Sequence, residues 1–418
     1  MGVGGGVVDF VFYYPLIMSI VWIIGALFFY ARRERGSQQE LFRMGEEMPR
    51  VSVIVPCFNE EATIRDTVEN LQGLTYPNYE VIVVDDGSQD RTAAILRDLA
   101  GRVSYLRVIH SVANRGKAHA LKLGLLASQG EILVTVDSDA MLNSDALDFL
   151  VPHFITPYVS ERVGAVTGNP RVRNRSSLLA KIQLLEYASI IGLIKRSQRV
   201  LGKIMTVSGV IVAFRKRALI DSGLWDTDII TEDIAVTWKL EQHFWDVRYE
   251  PKALCWMLVP ETAAGLWKQR VRWAQGGLEV LQRHWRALLH WKQRRMWPIL
   301  VEQLISLAWV VTWLVLTVVL VMLMVVRHRF YVPILWMGTY LAVVSLIQIA
   351  VAMAIDRRYE RGNGRYYWWS IWYPSVYWFV NAVVVLYAFG RMLLHRHRRG
   401  DYAVWASPDR GIGEDSFS

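Results

Sequence analysis

The chain has 418 residues, a formal net charge of +9, 53% hydrophobic residues and only 20% charged ones. That is apolar-rich beside the ~45–50% and ~25% of soluble globular domains, and it excludes a disordered chain. The two cysteines, Cys57 and Cys255, are too few for a disulfide framework or a cysteine zinc site, and read as reduced, partly buried small hydrophobes.

The apolar excess is concentrated in Val11–Tyr30, Ile299–Val326, Tyr331–Ile355 and Tyr366–Gly390, each long enough to cross a bilayer. The first stretch lacks a basic n-region and a small-residue cleavage site. It runs directly into Arg32, Arg33 and Arg35, so it reads as an anchor with its basic side inward. Basic residues flanking spans are topology signals and contacts to anionic lipid, so the lipid bilayer, and no nucleic acid, is the partner that the positive charge implies.

Val51–Val55, Val81–Val84 and Ile132–Val136 are short β-branched runs that end at acidic or turn residues. The helical patterns Glu60–Leu71 and Thr92–Leu99 separate them, so a parallel sheet covered on both faces is expected. Ligands of such sheets sit at the carboxyl ends of the strands. Ala263–Trp297 interleaves five tryptophans with Arg and Lys and reads as helices lying in the membrane interface. The expected organisation is an anchor over 1–36, an α/β domain over 48–260, interface helices over 261–298, a bundle of about three spans over 299–395 and a basic tail over 396–418. Three downstream spans would put the tail opposite the α/β domain. Its Arg391, Arg396, Arg398 and Arg399 favour the same side, and Pro374 is a candidate break in the last segment.

Several short motifs carry chemistry. Asp85-Asp86-Gly87-Ser88 closes a strand, and its carboxylate can accept the N–H of a uracil or close an Asx turn. In Asp137-Ser138-Asp139, alternate residues of an extended segment point to one side and can converge on Mg²⁺ or Mn²⁺. Thr231-Glu232-Asp233 opens a helix-like run, so Asp233 is either a helix-start residue or a general base that deprotonates a hydroxyl. Gln269-Arg270-Val271-Arg272-Trp273 combines guanidiniums suited to diphosphate with an aromatic plane suited to a sugar, unless it is an interfacial basic cluster. Asn114-Arg115-Gly116-Lys117 can bring an ammonium to a phosphate or form a surface turn, and Glu302 is an acid near the start of a span with no assigned role.

In their order (VDDGS, VDSD, TED, QRVRW) these motifs resemble the processive family 2 glycosyltransferases, which make cellulose, chitin, hyaluronan and poly-N-acetylglucosamine. The longer segments VTGNPRVR, EYASIIGLIKR, VSGVIVAFR, ALCW and GLWKQRVRWAQGG, with the tail Trp405–Gly411, are most similar to the poly-β-1,6-N-acetyl-D-glucosamine branch. The resemblance implies a GT-A-type, Rossmann-like cytosolic domain inserted between transmembrane helices of the bacterial inner membrane. It implies inverting transfer of N-acetylglucosamine from UDP-N-acetylglucosamine to a growing polysaccharide, with Mg²⁺ or Mn²⁺. On this basis Pro56, Asn59, Glu60, Asp86 and Lys117 line the UDP site. Asp137 and Asp139 form the metal motif with Asp139 as the metal contact, and Asp233, beside Glu232, is the base. Gln269, Arg270, Arg272 and Trp273 hold the diphosphate and the acceptor end, and Gly209 lies near the acceptor.

The branch usually carries another span before Val11–Tyr30, and no PilZ-like motif pair is found here. Cyclic-di-GMP control is therefore not expected within the chain itself, and the resemblance implies a small membrane partner subunit that supplies it. The competing expectations are another β-linked polymer made by the same apparatus, a single-addition transferase with a lipid acceptor, and an inactive transport or scaffold subunit.

Overall fold

The computed structural model describes residues 3–35, 48–156, 160–328, 332–394 and 402–404. The β-branched runs form strands: β1 (Val51–Cys57), β2 (Tyr79–Asp85), β3 (Leu106–His110) and β4 (Ile132–Val136). The remaining strands are β5 (Met141–Leu142), β6 (Val163–Val172), β7 (Ile211–Arg215) and β8 (Asp246–Met257). They make one eight-stranded sheet in the order β3-β2-β1-β4-β7-β6-β8-β5.

Strand side chains alternate between faces, and β1 shows both being buried. Val51, Val53 and Val55 pack with Ile64, Val68 and Leu71 of helix Ile64–Leu71 and with Leu96 of helix Thr92–Ala100. Ile54 faces the other way, onto Leu121 and Leu125 of helix Lys117–Ala127. Each such fully buried aliphatic side chain contributes about 1.5–3 kcal/mol, so continuous apolar strands are stable only because helices cover both faces.

The parallel expectation holds for β3-β2-β1-β4. Beyond β4 the sheet is mixed: β7 runs antiparallel to both β4 and β6, while β6 and β8 are parallel with two register shifts. Helix Glu60–Leu71 also begins later than expected, at Ile64, because the Glu60 carbonyl accepts from the N–H groups of Thr63 and Ile64 in a preceding turn.

Among the described residues, three helices are long and apolar enough to cross a membrane. They lie in Val3–Phe29, Trp297–Arg327 and Val332–Asp356. The fourth expected segment changes helix type along its length. Asn363–Ile371 is 3₁₀-helical, Tyr373–Tyr377 is a π-helical turn containing Pro374, and only Trp378–Leu394 is α-helical. Ala263–Leu288 is a single helix whose first turn is capped by Thr262 Oγ1, which accepts from the Gly265 N–H at 3.1 Å.

A buried ionic chain ties this helical part to the sheet domain. Arg196 Nε meets Glu34 Oε1 at 2.7 Å, and another Arg196 nitrogen meets Asp356 Oδ1 at 3.0 Å. Arg171 meets the other Asp356 oxygen at 2.8 Å. Glu34 follows the first helix, Asp356 ends the third, and Arg171 and Arg196 belong to β6 and to helix Ile194–Leu201.

Candidate active site

The carboxyl ends of the parallel strands carry the acidic motifs. After β2, Asp86 is fully buried, and one of its carboxylate oxygens accepts the N–H groups of Arg115 (2.9 Å) and Gly116 (2.7 Å). Burial pushes this carboxyl up to about 6, against the pull of those two N–H groups. Gly116 has φ +89, and a Cβ there would collide with the Ala403 carbonyl. Asn59, with φ 55, accepts the Gln89 N–H at 2.8 Å and donates its own N–H to Ser88 Oγ at 2.9 Å. The Glu60 N–H donates to Thr92 Oγ1 at 2.8 Å. Asn59, Glu60 and Asp86 thus order the loops around the β1 and β2 ends, while Pro56 lies within β1 opposite Val84.

After β4 opens a cavity of about 320 Å³. It gathers Lys117, Asp137, Asp139, Gly209, Glu232, Asp233, Gln269, Arg272 and Trp273 from five separate stretches of chain. Apolar wall is supplied by Tyr187, Ile190, Ile191, Val207 and Met257.

Lys117 Nζ bridges Asp137 Oδ1 (2.6 Å) and Glu232 Oε1 (3.0 Å). Burial opposes its charge, but the two carboxylates more than offset that and raise its pKa well above the usual range. Asp233 is pushed up to about 6 by burial and by Glu232, with Lys117 and Lys195 pulling the other way. Its Oδ1 accepts the Ile234 N–H at 2.9 Å, a helix-start contact that coexists with its place in the cavity. A Cβ on Gly209 would meet Lys117 Nζ at 3.2 Å and Asp233 Oδ2 at 3.3 Å, so the backbone packs close against both charges.

The expectation of two guanidiniums at the diphosphate needs correcting. Arg272 lines the cavity, whereas Arg270 does not. Arg270 is buried, donates to both Glu186 oxygens (2.8 and 2.5 Å) and to Tyr377 Oη (3.0 Å), and stacks over the Trp273 ring at 4.4 Å. It braces the helix carrying Gln269, Arg272 and Trp273. Glu302 likewise lies outside the cavity lining.

Both cysteines are free thiols, as the sequence implied, and burial pushes them well up. Sequence reasoning gave no role to Glu186 or Lys195, although both stand in the quoted EYASIIGLIKR segment. Their burial with charge was the missing signal.

The tail returns to this region. The Ala403 N–H donates to the Thr227 carbonyl at 2.8 Å, and the Arg115 guanidinium lies 5.5 Å from the Tyr402 ring centroid. Tyr402 and Ala403 therefore pack against the α/β domain; Trp405–Gly411 fall outside the described residues.

Gly276 offers a test of the packing beneath Asp233. A Cβ there would come within 2.2 Å of Thr231 Oγ1, whereas Gly277 has open space. Gly276→Ala should strain the Thr231–Asp233 segment by about 1–3 kcal/mol and lower transfer activity. Gly277→Ala, at a half-buried helix position where a Cβ meets no atom within 4 Å, should stabilise by up to about 1 kcal/mol. Melting midpoints and UDP release of the two variants check this; equal behaviour would contradict the packing argument.

The comparisons with known proteins agree with this geometry. The family model described as "Glycosyltransferase like family 2" matches residues 49–276. A poly-β-1,6-N-acetyl-D-glucosamine synthase of Staphylococcus epidermidis is 42% identical over 414 residues, covering 97% of this chain and 98% of the relative. The Staphylococcus aureus protein of the same name is 42% identical over 430 residues, covering 96% and 98%. Among solved structures, a mannosyltransferase of Pyrobaculum calidifontis in complex with GDP-Man and Mn²⁺ aligns with a TM-score of 0.59 at 22% identity, over 90% of this chain and 99% of that one. That likeness supports the GT-A-type fold. The chain belongs to glycosyltransferase family 2 and is an enzyme of the hexosyltransferase class, related over nearly its whole length to the poly-β-1,6-N-acetyl-D-glucosamine synthases.

Proposed function

We propose that this protein polymerises N-acetylglucosamine from UDP-N-acetylglucosamine into a β-1,6-linked chain at the bacterial inner membrane, and passes the product across it. The observation that carries the reading is the single cavity in which Asp137, Asp139, Asp233, Arg272 and Trp273 meet, beside the membrane helices.

Asp233 accepts the proton of the terminal sugar's 6-hydroxyl. That oxygen attacks the anomeric carbon while the bond from this carbon to the UDP oxygen breaks on the opposite face. The bonding electrons leave on UDP, and the configuration inverts from α to β. Arg272 offers a fixed fork of donors to the diphosphate. Trp273, held by its stack on Arg270, offers a flat face to the acceptor sugar.

The donor set fits a hard divalent cation. Asp137 and Asp139 present two carboxylates at one strand end, and among the described residues no third His, Cys, Asp or Glu completes a protein-only site. The remaining ligands would come from diphosphate and water, as suits Mg²⁺ or Mn²⁺. When bound, the ion would supply charge neutralisation of the departing diphosphate. Asp139 would contact it and Asp137 would support it.

The test uses the purified full chain in lipid with UDP-N-acetylglucosamine and Mg²⁺ or Mn²⁺. UDP release should accompany a polymer that a β-1,6-specific hexosaminidase digests and a chitinase does not. Chitinase digestion would keep the mechanism and overturn the linkage. If product forms only after a small membrane subunit and cyclic-di-GMP are added, those are the partners; no product even then would sink the polymerase reading.

A further inference from the structure

Lys195 has no part in the mechanism above. It follows the π-helical segment Tyr187–Leu193, a geometry frequent at functional sites. It is only 5% exposed, yet it lines the cavity. A buried ammonium is costly unless partnered. Among the described residues it donates a hydrogen bond to Ser208 Oγ at 2.5 Å, and the Ser208 N–H in turn donates to Thr167 Oγ1 at 2.8 Å. Ser208 is therefore a held anchor.

A lysine ammonium has three N–H donors, so two remain for a guest in the cavity. Among the described residues no carboxylate forms an ion pair with Lys195, and Asp233 is the charge that favours its protonated form, against burial that lowers it to about 7. Lys117 differs: its ammonium is engaged by Asp137 and Glu232 at the metal-motif end. Asp233 thus feels two ammoniums, one tied to Asp137 and Glu232 and one carried by the arm that also supplies Tyr187, Ile190 and Ile191 to the cavity wall.

We propose that Lys195 is an acceptor-binding residue, whose remaining N–H donors take an oxygen of the terminal sugar of the growing chain and set the attacking hydroxyl against Asp233. This rests on the polymerase reading above.

The test compares wild type, Lys195→Met and Lys195→Arg as full chains in lipid, with a β-1,6-linked N-acetylglucosamine pentamer as acceptor. Lys195→Met should raise the acceptor KM about tenfold or more, the scale of one hydrogen bond to a charged group. UDP affinity with Mn²⁺, measured by calorimetry, and the melting midpoint should stay at wild-type values, and Lys195→Arg should recover part of the loss. An unchanged acceptor KM in a folded Lys195→Met, or an equal loss of UDP affinity, would overturn the proposal. Should the methionine variant fail to bind UDP and also melt early, Lys195→Gln replaces it under the same criteria. Wild type failing to extend the pentamer would count against the poly-N-acetylglucosamine reading instead; the Lys195 comparison is then made on the oligosaccharide that the wild type does extend.

Discussion

Asp233→Asn is expected to lower sugar transfer by about 10²–10⁴-fold, the usual contribution of a positioned general base, while the protein still binds UDP. The amide keeps the shape and the Ile234 contact but cannot take a proton. The same argument sets a pH profile. The base works deprotonated, and burial with Glu232 alongside pushes Asp233 up to about 6 from the ordinary aspartate value near ~4. The wild-type rate should therefore climb as pH rises through about 6. UDP release measured from pH 4.5 to 8, with UDP affinity recorded in parallel, checks both statements. Wild-type turnover by the asparagine variant would remove Asp233 from the role of base.

The second large effect concerns stability. Arg196 is fully buried between Glu34 and Asp356, and its guanidinium carbon also lies 5.5 Å from the Tyr249 ring centroid. Arg196→Met removes the positive member and strands buried charge. Breaking a buried pair in this way costs about 3–5 kcal/mol. A clear drop of the melting midpoint in detergent is expected, with loss of transfer activity, because the chain links the first and third membrane helices to β6 and to helix Ile194–Leu201. Replacing Glu34 in the same background should cost less than the two single changes added together, since the pair is already broken. Additive losses, or an unchanged midpoint in Arg196→Met, would show that the chain does not brace the two parts. Tyr359, which donates to Glu34 Oε2 at 2.6 Å, is a milder probe of the same node.

Much of this site was legible in the sequence because its logic is local. A β-branched run ending in Asp can be read as a strand reaching its carboxyl end. For Asp137-Ser138-Asp139 the expected extended backbone put two carboxylates on one side; β4 instead ends at Val136 and the chain turns at Ser138–Asp139, with the Ala140 N–H donating to the Asp137 carbonyl at 3.1 Å, and both aspartates still line the cavity. Glu232 and Asp233 opening a helix were equally plain, and so were the three long apolar spans. The mixed half of the sheet was not, because β6, β7 and β8 are joined by connections whose direction no local pattern encodes. Pro374 was a candidate break, yet it stands in the first turn of a π-helical segment that runs directly into Trp378–Leu394, where a proline forfeits no helical hydrogen bond.

The charged residues divide most sharply. On a helix, Gln269, Arg272 and Trp273 stand at i, i+3 and i+4 and share a face, while Arg270 is turned about 200° away from Arg272. Periodicity could therefore separate the two arginines, but only the fold supplied Glu186 and Tyr377 as partners for the one turned inward. Lys117 and Lys195 are the same letter in the chain. One became the bridge between Asp137 and Glu232, and the other a nearly buried ammonium anchored on Ser208. The sequence by itself determined which chemistry was present and on which strand ends it stood. Tertiary structure alone decided which charges meet, because the free energy of a buried charge depends on partners that lie far away along the chain.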